Sequence, residues 1–193
     1  MRRAVHATAA LLALALLAAP AAQAAPVTYR IEPTHTAVTF EALHFGTSTS
    51  RGRWNKIDGT VTLDVAAHTG SASITIDPAA VDTGVPALDE QLRGKNFFDV
   101  AAHPNAYFTS QTFTFDGDTL RSITGELHFR GKSNIVTLTA ERFNCYTNPL
   151  LKQQVCGGDF TTTLKRSDWG MTFGVPFVAD AVRLLVQVEA TRE

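Results

Sequence analysis

From about residue 37 onward, apolar and polar residues alternate with a period of two, the signature of strands with one buried face. In AVTFEALHF, Val38, Phe40 and Ala42 share a face against Thr39 and Glu41. DGTVTLDV sets Val61, Leu63 and Val65 against Thr60, Thr62 and Asp64. SASITID repeats the pattern with Ala72, Ile74 and Ile76, and RSITGELHFR with Ile123, Gly125, Leu127 and Phe129. SNIVTLTAERF continues it less cleanly. FTTTLKRSDW aligns Phe160, Thr162 and Leu164, and the last run, Ala181 to Ala190, aligns Val182, Leu184, Val186 and Val188. Turn signals at Asp58-Gly59, His68-Thr69-Gly70, Asp116-Gly117-Asp118 and Arg130-Gly131-Lys132 separate the runs. The pattern predicts about eight antiparallel strands, in a sandwich or a barrel. PALDEQLRGKNFFD is the best helix candidate: Leu88, Leu92 and Lys95 recur at helical spacing, and Gly94 is placed to end it in a left-handed cap.

The first residues change the picture. MRR, an apolar run from Ala9 to Ala19, Pro20 and the small-x-small triplet Ala22-Gln23-Ala24 make a secretory signal peptide over 1–24, with cleavage expected after Ala24. The run is shorter than the roughly 20 residues of a membrane-spanning helix. The exported chain of about 170 residues, 25–193, fits one domain. Export implies an oxidising compartment, so the two cysteines, Cys145 and Cys156, are expected to pair. They lack the CxxC spacing of a redox-active pair.

Charge and motifs exclude several functions. Removing Arg2 and Arg3 from the 17 basic residues leaves 15 against 18 acidic ones, a formal charge near −3 with no basic run. Nucleic acid is a poor partner for such a surface. The histidines show no HxH, HExxH or HxxxH spacing, so no metal site is expected. No GxSxG, phosphate-binding glycine loop or catalytic cysteine pattern marks an enzyme.

Several blocks, taken in order, resemble the YceI-like, polyisoprenoid-binding periplasmic proteins. They are YRIEPTHTAVTFEALHFG, LDEQLRGKNFFDVAAHPNAYFTSQ, GELHFRGKSNIVTLT and GDFTTTLKRSDWGM. The blocks span nearly all of the exported chain. In Glu32-Pro33-Thr34-His35-Thr36 an Asp and a Ser are more usual, a conservative departure, and NCYTNPLLKQQVCGG resembles an insert carried by part of the family. The resemblance implies a lipocalin-like eight-stranded antiparallel barrel enclosing a long apolar tunnel. It implies a polyisoprenoid or isoprenoid quinone as ligand, no catalysis and no cofactor, and periplasmic location. It also allows a head-to-head homodimer. A packed barrel serving as a stress- or secretion-linked interaction scaffold is the alternative.

A slim apolar tail needs little besides an inward stripe of aliphatic and aromatic groups, since burial contributes roughly 25 cal/mol per Å². The candidates for that stripe are Val38, Phe40, Ile74, Ile76, Phe108, Leu127, Phe129, Phe143, Leu164, Leu184 and Val186. Alternation identifies which residues point inward and leaves open whether they line a void or fill a core. Phe97 and Phe98 follow the helix and are expected to close one barrel end, as a plug or as a gate. In RSDWGM, Arg166 and Asp168 are spaced to pair, and Trp169 and Met171 are further ligand candidates. His35 and His44 are candidates for holding a polar head group.

Overall fold

The computed structural model describes residues 25–193. The expected signal peptide, 1–24, lies outside the described residues. Eleven strands form one antiparallel sheet: β1 (Val27–Ile31), β2 (Ala37–His44), β3 (Ser48–Trp54), β4 (Ile57–Asp64), β5 (Thr69–Ile76), β6 (Val81–Asp82), β7 (Ala106–Asp116), β8 (Thr119–Phe129), β9 (Lys132–Thr147), β10 (Gln154–Lys165) and β11 (Val178–Arg192). Among the described residues one α-helix, α1 (Pro86–Arg93), precedes β7.

The register turns these segments into eight staves. β1 and β2 lie along the same partner, β11: Ile31 opposes Ala190 and Ala37 opposes Gln187. The five residues between them bulge out as a one-turn 3₁₀ helix, Pro33–His35. The buried Thr36 hydroxyl bridges the gap, donating to the Glu189 carbonyl and accepting from the Glu189 N–H, both at 3.2 Å. β3 and β4 likewise form one stave, broken only at Asn55-Lys56, with β2 beside the first half and β1 beside the second. Pairing then runs β4-β5-β7-β8-β9-β10-β11 and returns to β1, which closes the ring. Closure pairs most of the strand length on both sides, which leaves little edge for another chain to pair with among the described residues.

The two ends of the barrel differ. One end carries the short turns 64–69 and 116–119, the 147–154 loop, the start of β1 and the C-terminus. Cys145 and Cys156 face each other across β9 and β10 near this end and form a disulfide. The other end carries the β2–β3 turn, the long segment 77–105, the β8–β9 turn and the loop 166–177. There β3 and β7 diverge, and β6 and α1 occupy the space between them. Arg93 pins the helix in place by donating to the carbonyls of Ala79 (2.8 Å) and Val81 (3.1 Å).

Three local expectations are corrected. Asp58-Gly59 is no turn. It lies within β4, where Gly59 takes a positive φ of 147° and a Cβ would stand 2.2 Å from the Ser73 carbonyl oxygen. Gly94 is extended, not left-handed. The helix end is closed by the next segment folding back: the N–H groups of Phe98 and Val100 donate to the carbonyls of Leu92 and Arg93, and Asp99 takes the left-handed conformation. Arg166 does not pair with Asp168. Its guanidinium is buried and bonded to backbone.

Candidate functional site

A cavity of about 420 Å³ occupies the helix-bearing end of the barrel. Its walls come from the inward positions of the staves: Val38, Phe40 and Ala42 on β2, Ile76 on β5, Leu127 and Phe129 on β8, Leu164 on β10, and Val182 and Leu184 on β11. The strand period places these residues on one side, and the helix period does the same for Leu88 and Leu92 of α1, which close the divergent flank. The other half of the barrel is filled by side chains, among them Tyr29, Leu63, Phe113, Leu120, Ile123 and Phe160, all buried. The chamber is therefore shorter than the long tunnel the family resemblance implies.

Aromatic rings make much of the wall. Trp54 packs against Phe40 (5.1 Å between centroids), Phe98 (5.3 Å) and Phe129 (6.5 Å, edge-on), and Phe98 packs on Phe129 at 5.5 Å. Both indole N–H groups are satisfied by backbone, Trp54 at Pro78 O and Trp169 at Leu127 O, so these large rings bury no orphaned donor. Phe97 and Phe98 divide the two roles considered for them. Phe98 is buried in the wall, while the half-buried Phe97 meets the exposed Phe173 edge-on at 5.7 Å, at the mouth.

Polar groups at the cavity are few: His44, Ser50, Gln91 and Arg166. Arg166 is the most constrained. It donates to the carbonyls of Met171 (2.7 Å), Phe173 (2.9 Å), Val178 (2.9 Å) and Ala179 (3.0 Å), which fixes the path of the 171–179 segment over the mouth. Burial draws its guanidinium below the ordinary value, and the charge of Asp180 opposes that shift. Burial acts to raise the Asp180 carboxyl. Hydrogen bonds from the Ser167 hydroxyl (2.7 Å) and N–H (2.9 Å), with the Arg166 charge, outweigh it and hold the group below the usual carboxylate range. Across the mouth, the Thr83 hydroxyl at 2.6 Å similarly lowers Asp89, against burial and together with the Thr83 N–H. These two carboxylates secure the loops that frame the opening.

Of the residues that the alternation turns inward, Val38, Phe40, Ile76, Leu127, Phe129, Leu164 and Leu184 line the cavity, as do Phe97, Phe98, Trp169 and Met171. Ile74, Phe108, Phe143 and Val186 do not. They pack in the apolar core, because the same inward face continues past the cavity into the filled half. His44 reaches the mouth. His35 stands outside the cavity, exposed, its Nδ1 2.6 Å from the Glu32 carboxylate that also caps the 3₁₀ turn. Leu88, Leu92, Trp54, Arg166 and the mouth residues Phe45, Phe173 and Phe177 were not among the expected site residues. The charge-free run MTFGVPFV, with two phenylalanines in a loop, was the available signal for Phe173 and Phe177.

A family model described as a YceI-like domain matches residues 29–190. A UPF0312 protein of Pseudomonas aeruginosa is 32% identical over 189 residues, covering 96% of this chain and 98% of the relative. Among solved structures, BcnA of Burkholderia cenocepacia has a TM-score of 0.69 at 27% identity, over 83% of this chain and 99% of BcnA. A polyisoprenoid-binding domain from Saccharophagus degradans, implicated in plant cell wall breakdown, has a TM-score of 0.64 at 14% identity, over 86% of this chain and 99% of that domain. At that identity it shows a shared fold.

Proposed function

The chain belongs to the YceI-like family, and from that premise we propose that its barrel is a periplasmic carrier for an isoprenoid lipid, a polyisoprenoid or an isoprenoid quinone, whose tail it holds without reacting it. The observation that carries this reading is the cavity itself: a chamber in the barrel end, walled by aliphatic and aromatic groups with polar atoms only sparsely placed. Its 420 Å³ falls within the range of roughly 300–1,000 Å³ typical of small-ligand sites. The Saccharophagus domain, polyisoprenoid-binding on the same fold, points the same way. A tail buried among such groups meets mostly carbon along its length: the Arg166 guanidinium is engaged by four backbone carbonyls and His44 stands at the mouth. The expected export signal and the disulfide support the periplasmic assignment.

The volume limits how much tail enters. With each carbon taking about the ~30 Å³ of a liquid water molecule, the chamber holds about 14 carbons, just under three isoprene units. The head group and any further units then lie at or beyond the mouth, near His44 and Gln91. Both tryptophans of the chain, Trp54 and Trp169, line the cavity, so their fluorescence reports its occupancy directly. Titration with isoprenoid quinones of increasing tail length should quench both. Affinity should rise up to about three units and then level off. No quenching at any length, with an empty cavity in protein recovered from periplasm, would favour the packed-scaffold alternative.

A further inference from the structure

The mouth of the cavity is apolar on its outside as well as its inside. Phe45 is 60% exposed, Phe173 52% and Phe177 63%, and all three also line the cavity, so one continuous apolar surface runs from the chamber to solvent. Leu43 and Val175 flank them, 46% and 38% exposed.

The backbone displays this surface at a conformational cost. The β2–β3 turn, closed by Thr47 N–H to His44 O at 3.0 Å, places both Phe45 (φ 50°) and Gly46 (φ 65°) in the left-handed region. Such turns favour Asn, Asp or Gly at the first central position. A phenylalanine there is disfavoured, and burial does not compensate, since the ring stays mostly in solvent. It stacks on Phe177 at 5.5 Å, and its N–H donates to Phe177 O at 2.7 Å, tying the two loops into one unit.

The charges identify the occupant. LHFGTSTS (43–50) and MTFGVPFV (171–178) contain no Asp, Glu, Lys or Arg. The other turns of the barrel all carry charge: Asp64, Asp116 and Asp118, Arg130 and Lys132, Lys152. Charged side chains are costly in hydrocarbon, while aromatic rings are favoured at the membrane interface. The rest of the rim at this end, α1 with the segment after it and the β8–β9 turn, bears Glu90, Lys95, Arg130 and Lys132 and suits the head-group level. A second copy of the chain fits less well. Three rings of roughly 150–250 Å² each, a little over half exposed, offer on the order of 350 Å², against about 800 Å² per partner in a stable protein interface.

We propose that the barrel docks mouth-first on a lipid bilayer, with Phe45, Phe173 and Phe177 entering the interface, so that a tail passes between membrane and cavity without crossing water. This rests on reading the cavity as a lipid-tail site. The test uses the exported chain and phosphatidylcholine vesicles in a flotation assay, at low and high salt. The wild type should float with vesicles at both, since the contact is apolar. Leu43→Asp combined with Val175→Asp places two charges on the rim at residues that do not line the cavity. This variant should lose vesicle binding by about tenfold or more and still bind farnesol in solution by native mass spectrometry. Leu150→Asp, in the exposed loop at the opposite end, should float like the wild type. A wild type that does not float, a double variant that floats as well as the wild type, or loss of flotation in Leu150→Asp instead, would each overturn the proposal. Flotation without farnesol binding would leave docking intact and refute the tail site.

Discussion

Ala42 is the position where the tail-site reading is most directly tested. It is buried on β2, faces the cavity, and lies between Ser50 of β3 and Val182 of β11. Replacing it by phenylalanine adds six carbons to the wall, against the about 14 that the 420 Å³ chamber holds. The tail then loses room for about six of its carbons. At ~0.8 kcal/mol per buried methylene the loss is at most about 5 kcal/mol, and relaxation of the mouth loop reduces it to no less than about 2 kcal/mol. That is a weakening of roughly 30-fold to several thousand-fold. The variant should remain folded, because the ring enters a void; where the fit is imperfect, overpacking costs about 1–3 kcal/mol. Tryptophan quenching by a short-tailed isoprenoid quinone gives the affinity, and thermal denaturation followed by circular dichroism checks the fold. A folded Ala42→Phe protein with wild-type affinity would refute the assignment of this chamber as the tail site.

Three further outcomes follow from other parts of the molecule. Replacing Cys145 and Cys156 by serine removes a link across 11 positions and should cost roughly 2–3 kcal/mol in the chain-entropy description. That lowers the melting temperature by about 5–10 °C and leaves quinone affinity unchanged, because the loop lies at the end away from the cavity. Arg166→Met leaves the four carbonyls it serves without their donor and should destabilise the fold by about 3 kcal/mol or more. Urea denaturation and faster amide exchange across 171–179 would register the loss, and Arg166→Lys should restore only part of it. Asp89 and Asp180 are both held below the ordinary carboxylate value. Their contribution is fully present above the unfolded value near pH 4 and is lost as pH falls through their lower folded values. The urea midpoint should drop as pH falls below about 4, and Asp89→Asn with Asp180→Asn should lower it at neutral pH and flatten that slope.

The alternating runs contained most of the barrel. β2, β4, β5, β8, β10 and β11 follow segments whose apolar residues recur at every second position, because one strand face must leave water while the other stays in it. β3 escaped that signal. STSRGRW carries only Gly52 and Trp54 at its buried positions, and Gly52 is small because the Phe40 ring occupies the space its Cβ would need, 2.5 Å away. β1 is too short to show a period, and the 3₁₀ bulge at 33–35 hides its continuity with β2.

The site was legible in part, for a related reason. Periodicity fixes the direction in which a side chain points, and it assigned Phe40, Leu127 and Leu184 to the interior. It says nothing about how deep along the barrel a residue lies. Phe108 and Val186 share that inward direction but sit in the filled core. The filled or hollow state of each level depends on side chains contributed by eight staves at once, so no single strand encodes it. The GKNFFD segment shows the same division. Its two adjacent rings are plain in the sequence, yet only the fold-back of the chain onto the carbonyls of Leu92 and Arg93 sends Phe98 into the wall and Phe97 to the mouth. Strand pattern, cysteine pair and family are properties of the chain order. The depth of the chamber and the apolar rim that Phe45, Phe173 and Phe177 build from two distant loops exist only once the barrel closes, because closure brings residues more than a hundred positions apart into contact; the buried Arg166 then shapes the lip through carbonyls of its own loop, 5 to 13 positions on.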